Sequence, residues 1–163
     1  MRALVVSDIS PDYSGTGLRE IAVPEPAAGE VRVRVRAASI NFPDLLMTRG
    51  EYQFKPPCPF VPGLDFSGEI DAVGPGVDTA RIGEAVVGGA RLGGFAEFVV
   101  TSAQAVRPKP ERLGFAEAAA YPAAYLTAWV ALVRRARVEP GEWVLVHGAA
   151  GGVGLACVDL AKH

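Results

Sequence analysis

The feature that most constrains this chain lies near its end. A continuous apolar run, Trp143-Val144-Leu145-Val146-His147, passes directly into Gly148-Ala149-Ala150-Gly151-Gly152-Val153-Gly154. An unbroken apolar run of this kind suits a strand covered on both faces, as in a parallel sheet. Residues 155–162 then read as helix. The glycines fit G-x-G-x-x-G with Ala149 in the first place, then Gly151 and Gly154. Strand before and helix after is the context in which that pattern carries meaning. Gly151 would let backbone approach a pyrophosphate, and Gly154 would let the helix pack closely on the strand. The helix N-terminus offers unpaired N–H groups and partial positive charge to the phosphates. The alternative is a strand-to-helix turn that binds nothing.

The unit is incomplete as it stands. The side chain that reads the adenosine ribose falls about 20 residues past the glycines, and the sequence stops at His163. A βαβ unit also needs a second strand. Val144, Leu145 and Val146 would each gain roughly 1.5–3 kcal/mol from full burial, which one strand and one short helix supply poorly. The expectation is therefore the first βα unit of a Rossmann domain in a truncated chain, or one completed by another chain.

Upstream, the signals are for strands. Residues 30–37 alternate Val31, Val33, Val35 with Arg32, Arg34, Arg36, so the arginines read as the wet face of one strand and not as a basic patch. Further β-rich runs fall at 3–7, 18–23, 67–73, 84–87 and 95–100, separated by Gly and Pro. Short strands with turns at such intervals indicate a sandwich or barrel. Asn41-Phe42-Pro43-Asp44 opens a brief helix that stops at Gly50, and a loop with many prolines follows over 52–63. After about residue 112 the pattern turns helical, with a short helix over 115–120, a break at Pro122 and a longer helix over 123–136. These readings divide the chain into a mostly β domain, 1–122, and the start of a dinucleotide-binding domain, 123–163.

Composition excludes several classes. The formal net charge is −2 over 163 residues, with no basic excess for nucleic acid. Two cysteines, Cys58 and Cys157, are too few and too far apart for a disulfide framework. No stretch approaches the ~20 apolar residues of a membrane span, and the N-terminus lacks a signal-peptide pattern. A cytoplasmic location is the expectation.

Several segments together resemble one family. Residues 144–154 are similar to the cofactor turn of the zinc-free quinone oxidoreductases, within the medium-chain dehydrogenase/reductase superfamily. Asn41-Phe42-Pro43-Asp44 resembles that family's active-site turn, and Tyr52-Gln53-Phe54-Lys55-Pro56-Pro57 with Phe60-Val61-Pro62-Gly63 its following loop. Gly94-Phe95-Ala96-Glu97-Phe98 and Tyr125-Leu126-Thr127-Ala128 match as well. The resemblance is to the family's N-terminal half. It implies a mostly β GroES-like barrel followed by a Rossmann domain, with the cofactor in the cleft between them and a homodimer for the intact enzyme.

It also implies NADPH as cofactor, with NADH as the alternative, and a small-molecule quinone or enone as hydride acceptor. Zinc alcohol dehydrogenases of the superfamily carry Gly-His-Glu where this chain has Gly63-Leu64-Asp65. Leucine is no metal ligand, so no metal is expected. The implied cofactor-binding residues are Asn41, Thr127, Ala150, Gly151, Gly152, Val153 and Gly154. The implied catalytic residues are Asn41, whose amide would donate to an oxygen gaining negative charge, and Tyr52, which would hydrogen-bond the acceptor. Each has a plainer reading. Asn41 is a good N-cap with Asp44 as its capping-box acid. Tyr52 could pack on the proline-rich loop, and Thr127 could bond back to its own helix. Asp44, His147, Cys58 and Cys157 read as structural. The expected activity is hydride transfer to a quinone or α,β-unsaturated carbonyl, with the truncated chain itself inactive. The alternatives are an enoyl-thioester reductase of the same superfamily and a non-catalytic GroES-like binding module.

Overall fold

The computed structural model describes residues Met1–His163. The chain forms two compact units, Met1–Ala120 and Tyr121–His163.

The first unit is built on β-ladders. Strands β1 (Arg2–Val6) and β2 (Thr16–Glu20) pair antiparallel. A five-stranded antiparallel sheet runs in the order β6-β3-β4-β5-β7. Its members are β3 (Glu30–Ser39), β4 (Asp65–Val73), β5 (Ala85–Gly89), β6 (Phe98–Ser102) and β7 (Val106–Pro108). Isolated bridges Ala3–Ala96 and Val6–Phe60 tie β1 to this body. The alternation seen in the sequence of β3 sets its two faces. Val31 and Val33 are fully buried, joined by Phe66, Ile70, Val86, Val99 and Val106 in one apolar cluster. Burying each of these side chains contributes roughly 1.5–3 kcal/mol.

The arginines of β3 face the other way, and each finds a partner. Arg32 donates from Nε to Asp71 Oδ2 at 2.8 Å and from Nη1 to Glu25 at 2.8 Å. Arg34 reaches Asp71 Oδ1 at 3.0 Å, and Arg36 reaches Glu69 at 3.3 Å. Phe98 lies under both Arg32 and Arg34, at 5.6 and 5.3 Å from the ring centre. The basic run is thus a cross-strand ladder of charge pairs, not a free cationic surface.

Strands β4 and β5 occupy the segments expected to a residue or two, and β6 starts at Phe98, three residues later than the sequence pattern indicates. The short β7 has no counterpart in the sequence reading. Its one buried residue is Val106, and it ends at Pro108, so it carries little alternation to read.

Between β3 and β4 lies α1 (Phe42–Thr48), with Asn41 as N-cap and Pro43 in the first turn. Pro fits there because its missing N–H has no helical partner to lose. The helix stops at Gly50, where φ is +69°. A second apolar cluster, Val6, Met47 and Phe60, seats α1 on the sheet body. Helix α2 (Phe115–Ala120) closes this unit.

The second unit differs from its sequence reading in two places. The expected single helix over 123–136 is α3 (Pro122–Trp129) continued by a π-helical stretch, Val130–Ala136. Pro122 starts α3 instead of breaking it, again because a first-turn proline costs no hydrogen bond. The second correction concerns residues 143–147. Residues 143–146 belong to no strand or ladder, and His147 already lies in the turn before α4. Trp143 is 101% exposed and Leu145 81% exposed, whereas Val144 and Val146 are half-buried. A strand is made by its neighbours' hydrogen bonds, and this unit contains no second strand to supply them. Helix α4 (Gly152–Lys162) follows. It packs on α3 through small residues, Ala128, Gly154 and Ala156, all buried. Tyr125 Oη donates to Asp159 Oδ2 across the pair at 2.8 Å. No helix is long and apolar enough to cross a membrane.

Candidate functional site

Each unit carries part of the residue set singled out by sequence.

In the first unit, Asp44 organises the start of α1. It is 2% exposed. Its Oδ2 accepts from the Asn41 backbone N–H at 2.8 Å, and its Oδ1 accepts from the Gly63 N–H at 3.1 Å. Burial pushes the Asp44 carboxyl above its ordinary value, with the Asp65 charge adding to the rise. The N–H groups of Asn41, Gly63 and Leu64 pull the other way, because they favour the charged form. The plain reading of Asp44 as a capping acid therefore understates it. One carboxylate ties the helix start to the loop before β4.

Gly63 is the loop residue that makes this contact geometrically open. Its φ is +106°, and a Cβ there would lie 2.5 Å from the Phe95 nitrogen. Only glycine combines that backbone conformation with that approach.

The Asn41 side chain is held from inside. Its Nδ2 donates to Ser39 Oγ at 3.1 Å and to Asp65 Oδ2 at 3.1 Å. Ser39 Oγ also lies 3.4 Å from the same carboxylate oxygen. The donors that the resemblance aims at a substrate oxygen are spent on two residues of the chain. Sequence reasoning missed Ser39 and Asp65. Asp65 stands directly after Gly63-Leu64, and Ser39 is two residues before Asn41, so closeness to those two motifs is the available signal. Around Asn41 the surface is apolar and open, with Ile40 74% and Phe42 71% exposed.

Tyr52 does not join this polar cluster. It packs, half-buried, against Val6, Met47 and Phe60 together with Phe54, Leu64 and Leu92. Leu64, at the position where the zinc enzymes have histidine, is a member of that apolar set.

In the second unit, Thr127 lies on the exposed side of α3. The glycine turn leads into α4 with Gly151 as its N-cap, and no side chain caps the helix. Gly151 N–H donates to the Gly148 carbonyl at 3.0 Å, and Leu155 N–H donates to that of Gly151 at 2.8 Å. The N–H groups of the first turn, on Gly152, Val153 and Gly154, have no carbonyl one turn earlier in the helix. Gly151, Gly152 and Val153 are exposed.

The glycines of this turn answer to different constraints. A Cβ on Gly154 would sit 2.3 Å from the Gly148 oxygen and 2.8 Å from Ala149 Cα, so the chain itself demands glycine there. A Cβ on Gly152 would meet nothing within 4 Å, and one on Gly151 would make only an ordinary 3.5 Å contact. Neither has a positive φ. Nothing inside the chain requires glycine at 151 or 152. Space kept open beside unpaired N–H groups at a helix start is what a phosphate needs.

The comparisons agree with this architecture. Residues 27–111 match the alcohol dehydrogenase GroES-like domain family. The chain belongs to that family. It is 42% identical over 162 residues to quinone oxidoreductase-like protein 2 of Rattus norvegicus, covering 99% of the chain and 45% of that protein. Among solved structures it superposes on the human synaptic vesicle membrane protein VAT-1 homolog-like protein with a TM-score of 0.95 at 38% identity, covering 99% of the chain and 52% of that structure. It also superposes on the quinone oxidoreductase of Thermus thermophilus, described with its NADPH complex, with a TM-score of 0.84 at 37% identity, covering 99% and 49%. The chain spans about half the length of the curated relatives it matches. The β domain followed by the opening of a Rossmann domain is the arrangement of the medium-chain dehydrogenase/reductase superfamily.

Proposed function

We propose that this chain supplies the substrate-side barrel and the phosphate cradle of a zinc-independent, NADPH-dependent reductase acting on a quinone or an α,β-unsaturated carbonyl. The observation that carries the proposal is the open space at Gly151 and Gly152 beside unpaired helix N–H groups. A pyrophosphate resting there would be held by the backbone of 150–154 and the positive end of α4. Thr127 would meet the nicotinamide side of the cofactor. Asn41 would touch cofactor or acceptor, and Tyr52 would line the acceptor side, where Ile40 and Phe42 offer apolar surface suited to a flat, uncharged substrate.

The cofactor, when bound, supplies the hydride. The chain's own part is alignment and exclusion of water. Leu64 packs, half-buried, against an apolar cluster and offers nothing to a metal, which favours an acceptor that needs no Lewis acid. A soluble homodimer in the cytoplasm is the expected setting. Because the chain spans about half of its relatives, we propose that the 163 residues bind NADPH but that turnover requires the rest of the parallel sheet.

The test uses the chain with NADPH and 1,4-benzoquinone. The expected result is saturable NADPH binding without NADPH consumption. Absence of binding would overturn the cradle. Steady oxidation of NADPH by these residues alone would overturn the need for a completed sheet.

A further inference from the structure

Both donors of the Asn41 side chain are spent within the chain. One amide N–H lies on Ser39 Oγ and the other on Asp65 Oδ2. A carboxylate only accepts, so the group facing Asp65 is the amide nitrogen and not the oxygen, which excludes the flipped carboxamide. Asp65 is 5% exposed and opens β4 in register with Ser39 of β3. The Asn41 Oδ1 faces the Asp44 N–H at the helix start. That N–H also donates to the Asn41 backbone oxygen at 3.0 Å. An amide oxygen has two lone pairs, and Asn41 is half-exposed. What Asn41 has left to offer is therefore an acceptor.

We infer that Asp65 is a positioning residue which, with Ser39, turns the Asn41 N–H groups inward, so that a bound ligand meets only the Asn41 carbonyl oxygen. The ligand group at that position is then a hydrogen-bond donor, a hydroxyl or an amide N–H. An oxygen gaining negative charge is excluded. This rests on the proposal that Asn41 touches cofactor or substrate, and it decides between them. Ribose hydroxyls and a nicotinamide carboxamide are donors of this class. The carbonyl oxygen of a quinone or enone is not. Asn41 thus serves the cofactor, and another group must stabilise the reduced acceptor.

Asn41 is the chain's sole asparagine, so asparagine-selective labelling of the side-chain amide gives one pair of NMR signals. In the free chain these protons are expected to exchange with water slowly. In Asp65→Asn they are expected to exchange about tenfold faster, the worth of one net hydrogen bond to a charged group. Ser39→Ala keeps the Asp65 bond, and is expected to retain most of the protection should Asp65→Asn fail to fold. On adding NADPH, the protons are expected to stay protected while the Asn41 carbonyl carbon shifts. Fast exchange in the free wild-type chain would overturn the inference, as would loss of protection on binding NADPH. If NADPH moves no signal anywhere, the proposed function fails, while the protection in the free chain still decides the role of Asp65.

Discussion

Gly152 and Gly154 stand two residues apart, yet substitution should affect them in opposite ways. Alanine at 154 forces its Cβ against backbone of the turn, and backbone cannot rotate aside as a side chain can. Gly154→Ala is expected to destabilise by about 1–3 kcal/mol, seen as a lowered urea midpoint. Gly152→Ala meets open space and a helical backbone, where alanine is the better former by up to about 1 kcal/mol. Asp44 makes a second residue-scale case. Its folded-state pKa is raised above the ordinary 3.8, so its stabilising contribution is complete below that value and is lost as pH rises through the raised one. Relative to Asp44→Asn, the wild type is expected to be most stable at the acid end and to lose ground as pH rises through the raised value. Urea unfolding of both proteins across this range reads the sign directly, and an advantage that grows with pH would contradict it.

At the scale of elements, the better sheltered of the carboxylates joining β3 and β4 outside the core is Asp71. Asp71 is held below its ordinary pKa by Arg34 and Arg32, against the burial that opposes this. The Arg32 and Asp71 side chains are only 15% and 18% exposed. Asp71→Ala leaves Arg32 with Glu25 as its one remaining carboxylate, beside the Pro24 carbonyl and the Phe98 ring, and is expected to cost about 1–3 kcal/mol, between the values for exposed and buried pairs. The unpaired segment 143–147 behaves differently. Trp143 and Leu145 present an apolar edge without a ladder. Such edges pair with other chains. Sedimentation is expected to show concentration-dependent association that Trp143→Lys with Leu145→Lys removes, and a monomer at every concentration would refute this.

These elements also show what a sequence discloses. Strand β3 was legible because Val and Arg alternate over a whole strand. The Asn41 start and Gly50 stop of α1 were legible because caps are local chemistry. The state of 143–147 was not, because apolarity reports the tendency to be buried and pairing depends on a neighbour. Likewise, Asn41 could be named as a site residue from its motif, while the direction of its amide depended on Asp65, 24 residues away.

For the whole molecule, membership in the GroES-like alcohol dehydrogenase family accounts for the β body, and the proposed role of the turn before α4 is to hold a dinucleotide. The polar cluster around Asp44 lies in one compact unit and the proposed phosphate cradle in the other. The central claim is that the cradle is real, and it separates cleanly from stability at Gly152. The most direct test is a titration of NADPH into wild type and Gly152→Val, followed by backbone amide NMR and thermal melting. We expect saturable shifts at Gly151, Gly152, Val153 and Gly154 in the wild type. In Gly152→Val we expect those shifts to vanish while the melting temperature falls by no more than about 2–4 °C, the equivalent of 1 kcal/mol in a domain this size. Equal NADPH binding by both proteins, or none by the wild type, would contradict the account.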